Sequence, residues 1–535
     1  MPEFSTPPLL QRYLCLLLLG LMAASGCGHR PSVPPKHEFR AVWIASFHNI
    51  DWPSAKGLTT DAQQAEFRQI LDQQRQNNMN AVIVQVRPCG DALYESPFEP
   101  WSEYLSGKQG QAPAPYYDPL SFMIEEAHQR TMEFHAWLNP FRAVSHTRFS
   151  DLISDHLSLQ QPDWFFQYGN SLYFNPGIPE VRTYIASLVS DILKRYDVDG
   201  IHFDDYFYPY PQDGKPIPDQ AAFEAYRDTF TDLATWRRHN IDLFVQQVSD
   251  SIRRYKPHVR LGISPSAVWR NKSKDPRGSD TQAPMTTFDL LHADVRKWLE
   301  AGWVDYVAPQ CYFAMNFSQA PYPKLLDWWS ENVFGRHLYI GQAVYKSKEG
   351  KYASWRKPEQ IPDQVRLNRK YPGVRGSIYF SASSFDNNPR RIAEKLRYDL
   401  YRKPALIPAM PWKDSIPPQA PRFVYATYDP SHIQLQWQPP AKAMDGEAAT
   451  YYVVYRFDEE EIIDRNDPVF IRSIQRSTQF TDQQVQAGKS YTYLITAVDR
   501  NHNESLAAER LEVEVPAPLA KAESSAAEAD ELSNK

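Results

Sequence analysis

Cysteine is nearly absent from this chain, with four in 535 residues, at positions 15, 27, 89 and 311. So sparse a set excludes a disulfide framework, and without paired Cys and His spacing it excludes a structural zinc site. A surplus of one charge is missing as well. The 58 basic and 64 acidic residues leave a formal net charge of -6, with no basic field to draw nucleic acid. Neither GxGxxG nor GxxxxGK[ST] occurs, which sets nucleotide chemistry aside. His202, Asp204, His48 and His135 are the raw material of a His and carboxylate metal site, yet HExxH-type spacing is lacking, so neither a metal nor another cofactor is expected. No apolar run is long enough to span a membrane comfortably; the most apolar stretch is 13–24.

That stretch has the length of a signal-peptide h-region and contains Leu16-Leu17-Leu18-Leu19. It runs into Ala24-Ser25-Gly26-Cys27, which resembles the lipobox of bacterial lipoproteins, with Ala24 where Leu is usual. The expectation is a signal peptide over 1–26, lipidation of Cys27, a tether over 27–37, and a membrane anchor at the periplasmic face of the outer membrane.

Short strand-like runs then alternate with amphipathic stretches, the rhythm of βα units on a parallel sheet. Eight such runs are found, at 39–45, 81–86, 133–138, 200–204, 260–264, 304–308, 337–341 and 376–380. Helical patterns fall at 61–77, 119–130, 179–196, 221–255, 288–301 and 389–401. The expectation is an α/β fold, a TIM-type (β/α)8 barrel over 38–403. A Pro-rich linker over 404–420 precedes alternating strands over 421–515, and 516–535 reads as a disordered tail. Trp437 with Pro439-Pro440, and Tyr491-x-Tyr-x-Ile-x-Ala497, resemble a fibronectin type III-like sandwich with Tyr491 as its corner tyrosine.

Barrel chemistry sits at the C-terminal ends of the strands. In the fourth run, Ile201 and Phe203 share one face and His202 and Asp204 the other, so Asp204 reaches the barrel mouth and Asp205 begins the loop. Glycoside hydrolysis needs one carboxyl to protonate the leaving oxygen and another group to attack, activate water or stabilise the cation. Asp204 suits the stabilising or nucleophilic role. Asp205 is either the acid or a loop-holding residue, because the fifth run ends without the Glu that many retaining barrel glycosidases carry there. Asp91, Glu95 and Glu99, after the second run, are the other candidates for the acid. Expected substrate contacts are Arg87, Asp91, Asn139, Arg142, His202, Tyr206, Trp269, Asn271, Gln310 and Tyr312.

Phe39-Arg-Ala-Val-Trp-Ile-Ala45, Ala136-Trp-Leu-Asn-Pro-Phe-Arg142, Asp199 to Pro209 and Gly262-Ile-Ser-Pro-Ser-Ala-Val-Trp-Arg-Asn271 together resemble the glycosyl-hydrolase-like family ten of bacterial lipoproteins. The resemblance runs from about 38 to 401. It implies a barrel with glycosidase activity, and peptidoglycan strands stripped of stem peptides as the substrate. A looser similarity links Asp199-Gly-Ile-His-Phe-Asp204 and Gln310-Cys-Tyr312 to chitinase-type barrels, with Tyr206 standing where those carry the catalytic Glu and His202 where they carry an Asp. The competing readings are a non-catalytic glycan-binding lipoprotein, whose type III-like domain engages an envelope partner, and a glycosidase for another extracellular polysaccharide.

Overall fold

Eight β-strands close on one another in sequence order, every neighbouring pair parallel, to form a barrel. They are β1 (Phe39–Ile44), β2 (Ala81–Arg87), β3 (Glu133–Leu138), β4 (Gly200–Phe203), β5 (Arg260–Ile263), β6 (Tyr306–Val307), β7 (His337–Ala343) and β8 (Val374–Phe380). This is a computed structural model, and it describes residues 34–146, 152–212, 214–349 and 353–517. The expected signal segment, Cys27 and the tail from 518 lie outside the described residues. Among those described, no helix is long and apolar enough to cross a membrane.

Strand alternation sorts the side chains into two cores. Val42, Val84, Ala136, Ile201, Phe203 and Ile263 point outward into the layer beneath the helices. Phe39, Trp43, Ile83, Tyr306, Tyr339 and Ile378 fill the barrel interior. The helices pack on the outer layer by a 3.6-residue stripe. In Pro179–Arg195 the proline sits in the first turn, Val181, Ile185, Leu188 and Ile192 are buried, and Lys194 and Arg195 lie at the carbonyl end.

The single helix expected over 221–255 is two, Gln220–Tyr226 and Leu233–Tyr255. Asp228 takes a left-handed φ of 47° between them, and Asp232 restarts the chain by accepting the backbone N–H of Thr235 at 2.7 Å. Beyond β3, an insertion that the βα rhythm does not announce pairs Arg142–Val144, Ser171–Phe174 and Phe165–Tyr168 into a small antiparallel sheet beside the barrel mouth.

Past the barrel, seven strands form two antiparallel sheets. One is ordered β9 (Arg422–Asp429), β10 (His432–Gln438), β13 (Gln479–Asp482). The other is ordered β12 (Ile471–Gln475), β11 (Tyr451–Asp458), β14 (Ser490–Val498), β15 (Leu511–Glu514). Tyr491 Oη accepts the Gln486 N–H at 2.9 Å, which ties its strand to the loop that precedes it.

The stretch 404–420, read from its prolines as a linker, is instead packed against the barrel floor. Leu406 pairs with His37, Ile407 and Met410 are buried, and Trp412 Nε1 donates to Asp305 Oδ1 at 2.9 Å. Prolines broke the helical rhythm there, but the apolar residues between them still found a surface to cover.

Candidate active site

Asp204 follows the last residue of β4, where the alternation of the pleat has ended. Trp137 Nε1 donates to its Oδ2 at 3.1 Å, and the Asn139 amide reaches Oδ2 and Oδ1 at 3.1 and 3.2 Å. The Tyr206 N–H adds a longer contact to Oδ1 at 3.3 Å. The donors come from the end of β3 and from the loop after β4, so two neighbouring strands clamp one carboxylate. Burial raises the Asp204 carboxyl above its usual range, opposed by the Arg142 guanidinium and these donors.

Asp205, 3% exposed, turns toward the same cleft. Adjacent residues on a strand face opposite ways, but these two stand past the strand end, where both can face the opening. Burial first, and then the charge of Asp204, push the Asp205 carboxyl up to about 7. Tyr210 donates its hydroxyl to Oδ2 of Asp205. A carboxyl with that pKa, beside a second carboxyl, is matched to donating a proton near neutrality.

The cleft at this mouth has a volume of about 310 Å3. Among the described residues, Asp204 and Asp205 are its only carboxylates. Rings of Trp43, Phe47, Tyr312, Tyr345 and Phe380 make much of its wall, with Gln85, Ser264 and Gln310 as polar groups between them. Flat apolar walls with a few placed polar groups fit a pyranose, whose faces are apolar and whose rim is hydroxylated. Arg142 lines it too, its guanidinium 3.9 Å from the Phe47 ring centre and 5.1 Å from that of Tyr206.

Residues 38–356 match the family described as Glycosyl hydrolase-like 10. The chain belongs to this family. It is 44% identical over 503 residues to "Glycosyl hydrolase YngK" of Bacillus subtilis, covering 93% of this chain and 98% of that protein. It is 38% identical over 364 residues to "Glycosyl hydrolase DigH" of Escherichia coli K12, covering 64% of this chain and 82% of that protein. Among solved structures, the PgaB (BpsB) glycoside hydrolase domain of Bordetella bronchiseptica aligns at TM-score 0.43 and 16% identity, over 68% of this chain and 98% of that one. Family and relatives together make this glycosyl hydrolase-like 10 member a glycoside hydrolase.

Of the residues expected to contact substrate, Arg142, Tyr206, Gln310 and Tyr312 line the cleft. Asn139 acts one step back, by holding Asp204. His202 lies beneath the cleft and is fully buried.

Four expectations are corrected. Arg87 is buried, its Nε donating at 2.7 Å to Glu99 and its Nη1 to the Asn139 carbonyl, so it braces the loop that carries Asn139. Asp91 is buried outside the cleft, its carboxyl raised to about 7 by burial. Trp269 stacks on Trp328 at 5.6 Å and donates to Asp294 at 3.0 Å. Asn271 spends its amide on Ala283 and Thr281. The other acids after β2 are committed too, since Glu95 accepts from Tyr116 and Glu99 pairs with Arg87.

Phe47, Tyr345 and Phe380 of the wall were passed over, as were three further contributors. Trp43 shares the inward parity of Phe39 and Ala41, a signal present in the sequence. Ser264 closes the fifth run. Tyr210 lies in a loop and has no local signature.

The Arg87–Glu99 pair carries its own prediction. Glu99→Ala strands a guanidinium that is 0% exposed, at a cost of about 3–5 kcal/mol in urea unfolding. Loss of under about 1 kcal/mol would mean the pair is not the brace described.

Proposed function

We propose that this glycoside hydrolase cleaves the glycan strands of peptidoglycan, at β-1,4 bonds between N-acetylmuramic acid and N-acetylglucosamine, preferring strands freed of stem peptides. Asp205 protonates the leaving oxygen, and Asp204 stabilises or captures the positive charge at the anomeric carbon. The observation that carries this reading is the single cleft shared by a clamped carboxylate and a second one whose pKa is raised to about 7. A purely glycan-binding barrel has no use for that pairing.

Arg142 supports the substrate preference. Removing the stem peptide frees the lactyl carboxylate of muramic acid, and a guanidinium in the cleft wall binds a carboxylate more strongly than the neutral amide it replaces. The Ala24-Ser25-Gly26-Cys27 sequence supports export and a lipid anchor through Cys27, on the periplasmic face of the outer membrane.

The test is digestion of purified sacculi, intact and amidase-stripped, with products resolved by mass spectrometry. Faster release from stripped sacculi is expected, with reducing ends. Anhydro ends would instead mark lytic cleavage. No release from either substrate, alongside activity on another polysaccharide, would move the assignment to that glycan.

A further inference from the structure

A file of buried polar side chains runs down the barrel axis from the cleft to the floor. At the top, Trp43 Nε1 and Ser264 Oγ approach His202 Nε2 at 3.2 and 2.9 Å, and both residues line the cleft. An indole N–H only donates, so His202 Nε2 must be the bare nitrogen and Nδ1 must hold the proton. That proton goes to Tyr306 Oη at 2.9 Å. The Tyr306 hydroxyl in turn donates to His135 Nδ1 at 2.8 Å, and His135 Nε2 to Glu133 Oε2 at 3.1 Å.

Glu133 ends the file at the barrel floor, with Arg260 2.8 Å from its Oε1. The same Oε1 takes a hydrogen bond at 2.6 Å from Nε2 of His502, a residue of the C-terminal β module. Tyr451, on β11, holds the other face of that ring through Nδ1 at 2.9 Å. His502 keeps a left-handed φ of 66°, a conformation that costs a non-glycine residue energy and persists only where its surroundings impose it.

The barrel makes room for this file. A Cβ on Gly262 would lie 1.9 Å from the Tyr306 ring, and one on Gly200 would lie 2.6 Å from His135 Nδ1. Two strands give up side chains so that these two rings can occupy the axis.

We propose that His502 is a positioning residue for the glycosidase site, acting through Glu133, His135 and Tyr306 to hold His202 in its Nδ1–H tautomer. That tautomer is the one able to accept the Trp43 indole N–H. The opposite tautomer sets two donors face to face and displaces the Trp43 ring from the wall of the cleft. The C-terminal module is thus part of the catalytic unit, supplying the last member of a file that begins at the sugar site. This rests on the glycoside hydrolase assignment and is independent of which glycan is cut.

The test uses the full chain with 15N-labelled histidine, and compares Tyr306→Phe, which removes one hydroxyl and keeps the ring, with His502→Ala and His502→Gln. Nitrogen chemical shifts of the wild type are expected to report Nδ1–H for His202 and Nε2–H for His135. In Tyr306→Phe and His502→Ala the His202 signals should move toward a mixture of tautomers. On amidase-stripped strands kcat should fall about 10-fold with little change in KM. His502→Gln, whose amide N–H can reach Glu133, should restore most of both. Wild-type tautomers and wild-type kcat in Tyr306→Phe and His502→Ala, with only the melting temperature lowered, would overturn the proposal. If the wild type itself leaves stripped strands intact, the substrate reading fails, and the nitrogen shifts still decide the file.

Discussion

Asp204→Asn is expected to lower kcat at least 1000-fold on any glycan the enzyme cuts, with KM changed little. The amide can neither attack the anomeric carbon nor neutralise the charge that grows there, yet it has the shape of the carboxylate, so the cleft is preserved. Its surroundings add a second effect. Trp137 and Asn139 both present N–H groups to Asp204, and an amide there can satisfy them with only one oxygen. The amide nitrogen faces a donor instead, which costs about 1–3 kcal/mol of stability. The two effects separate cleanly, since unfolding in urea measures the second and single-turnover release of fragments measures the first. A variant that keeps a tenth or more of the wild-type kcat would remove Asp204 from the chemistry.

The barrel was readable because its signal is local. Alternation of Ile201 and Phe203 against His202 and Asp204 assigns inward and outward faces within five residues, and all eight strands lie where their apolar runs predicted. What escaped depends on partners far away in sequence. Trp269 and Asn271 follow the fifth strand as substrate contacts would, but Trp328 stacks on the first, and the loop around Ala283 claims the second.

Arg87 has the inward place of a sugar-binding residue until Glu99 folds back over it. The prolines of 404–420 read as a linker because they break helical rhythm, although Leu406, Ile407, Met410 and Trp412 had already marked the stretch as one that covers a surface. The role of the C-terminal module was hidden for the same reason. His502 meets Glu133 across 369 residues of chain, and no spacing rule connects them.

Asp205→Asn should test the proton donor, and the pH profile is its sharpest readout. The donor must be protonated to act, so wild-type kcat should fall as pH rises through about 7. Asp204 must be ionised, so activity should rise on the acid side, above the usual carboxylate range because burial raises that pKa. The wild-type profile is then a bell.

In Asp205→Asn the alkaline limb should disappear, and kcat on a natural glycan should drop by about 100- to 10000-fold. An aryl glycoside whose phenolate leaves without a proton should lose far less. That contrast identifies an acid catalyst, because a residue that only holds the loop would depress both substrates alike.

The same group links to stability. Its folded pKa lies above the unfolded value, so its contribution is fully present at low pH and is lost as pH climbs toward about 7. Above that, the wild type carries a buried charge that the amide lacks. Asp205→Asn should therefore melt higher than the wild type at pH 8 while being nearly inactive, since a carboxylate in a buried site sacrifices stability to hold its proton near neutrality. Equal melting temperatures at pH 8 would show that Asp205 is not forced to ionise in a buried site, and would remove it as the acid.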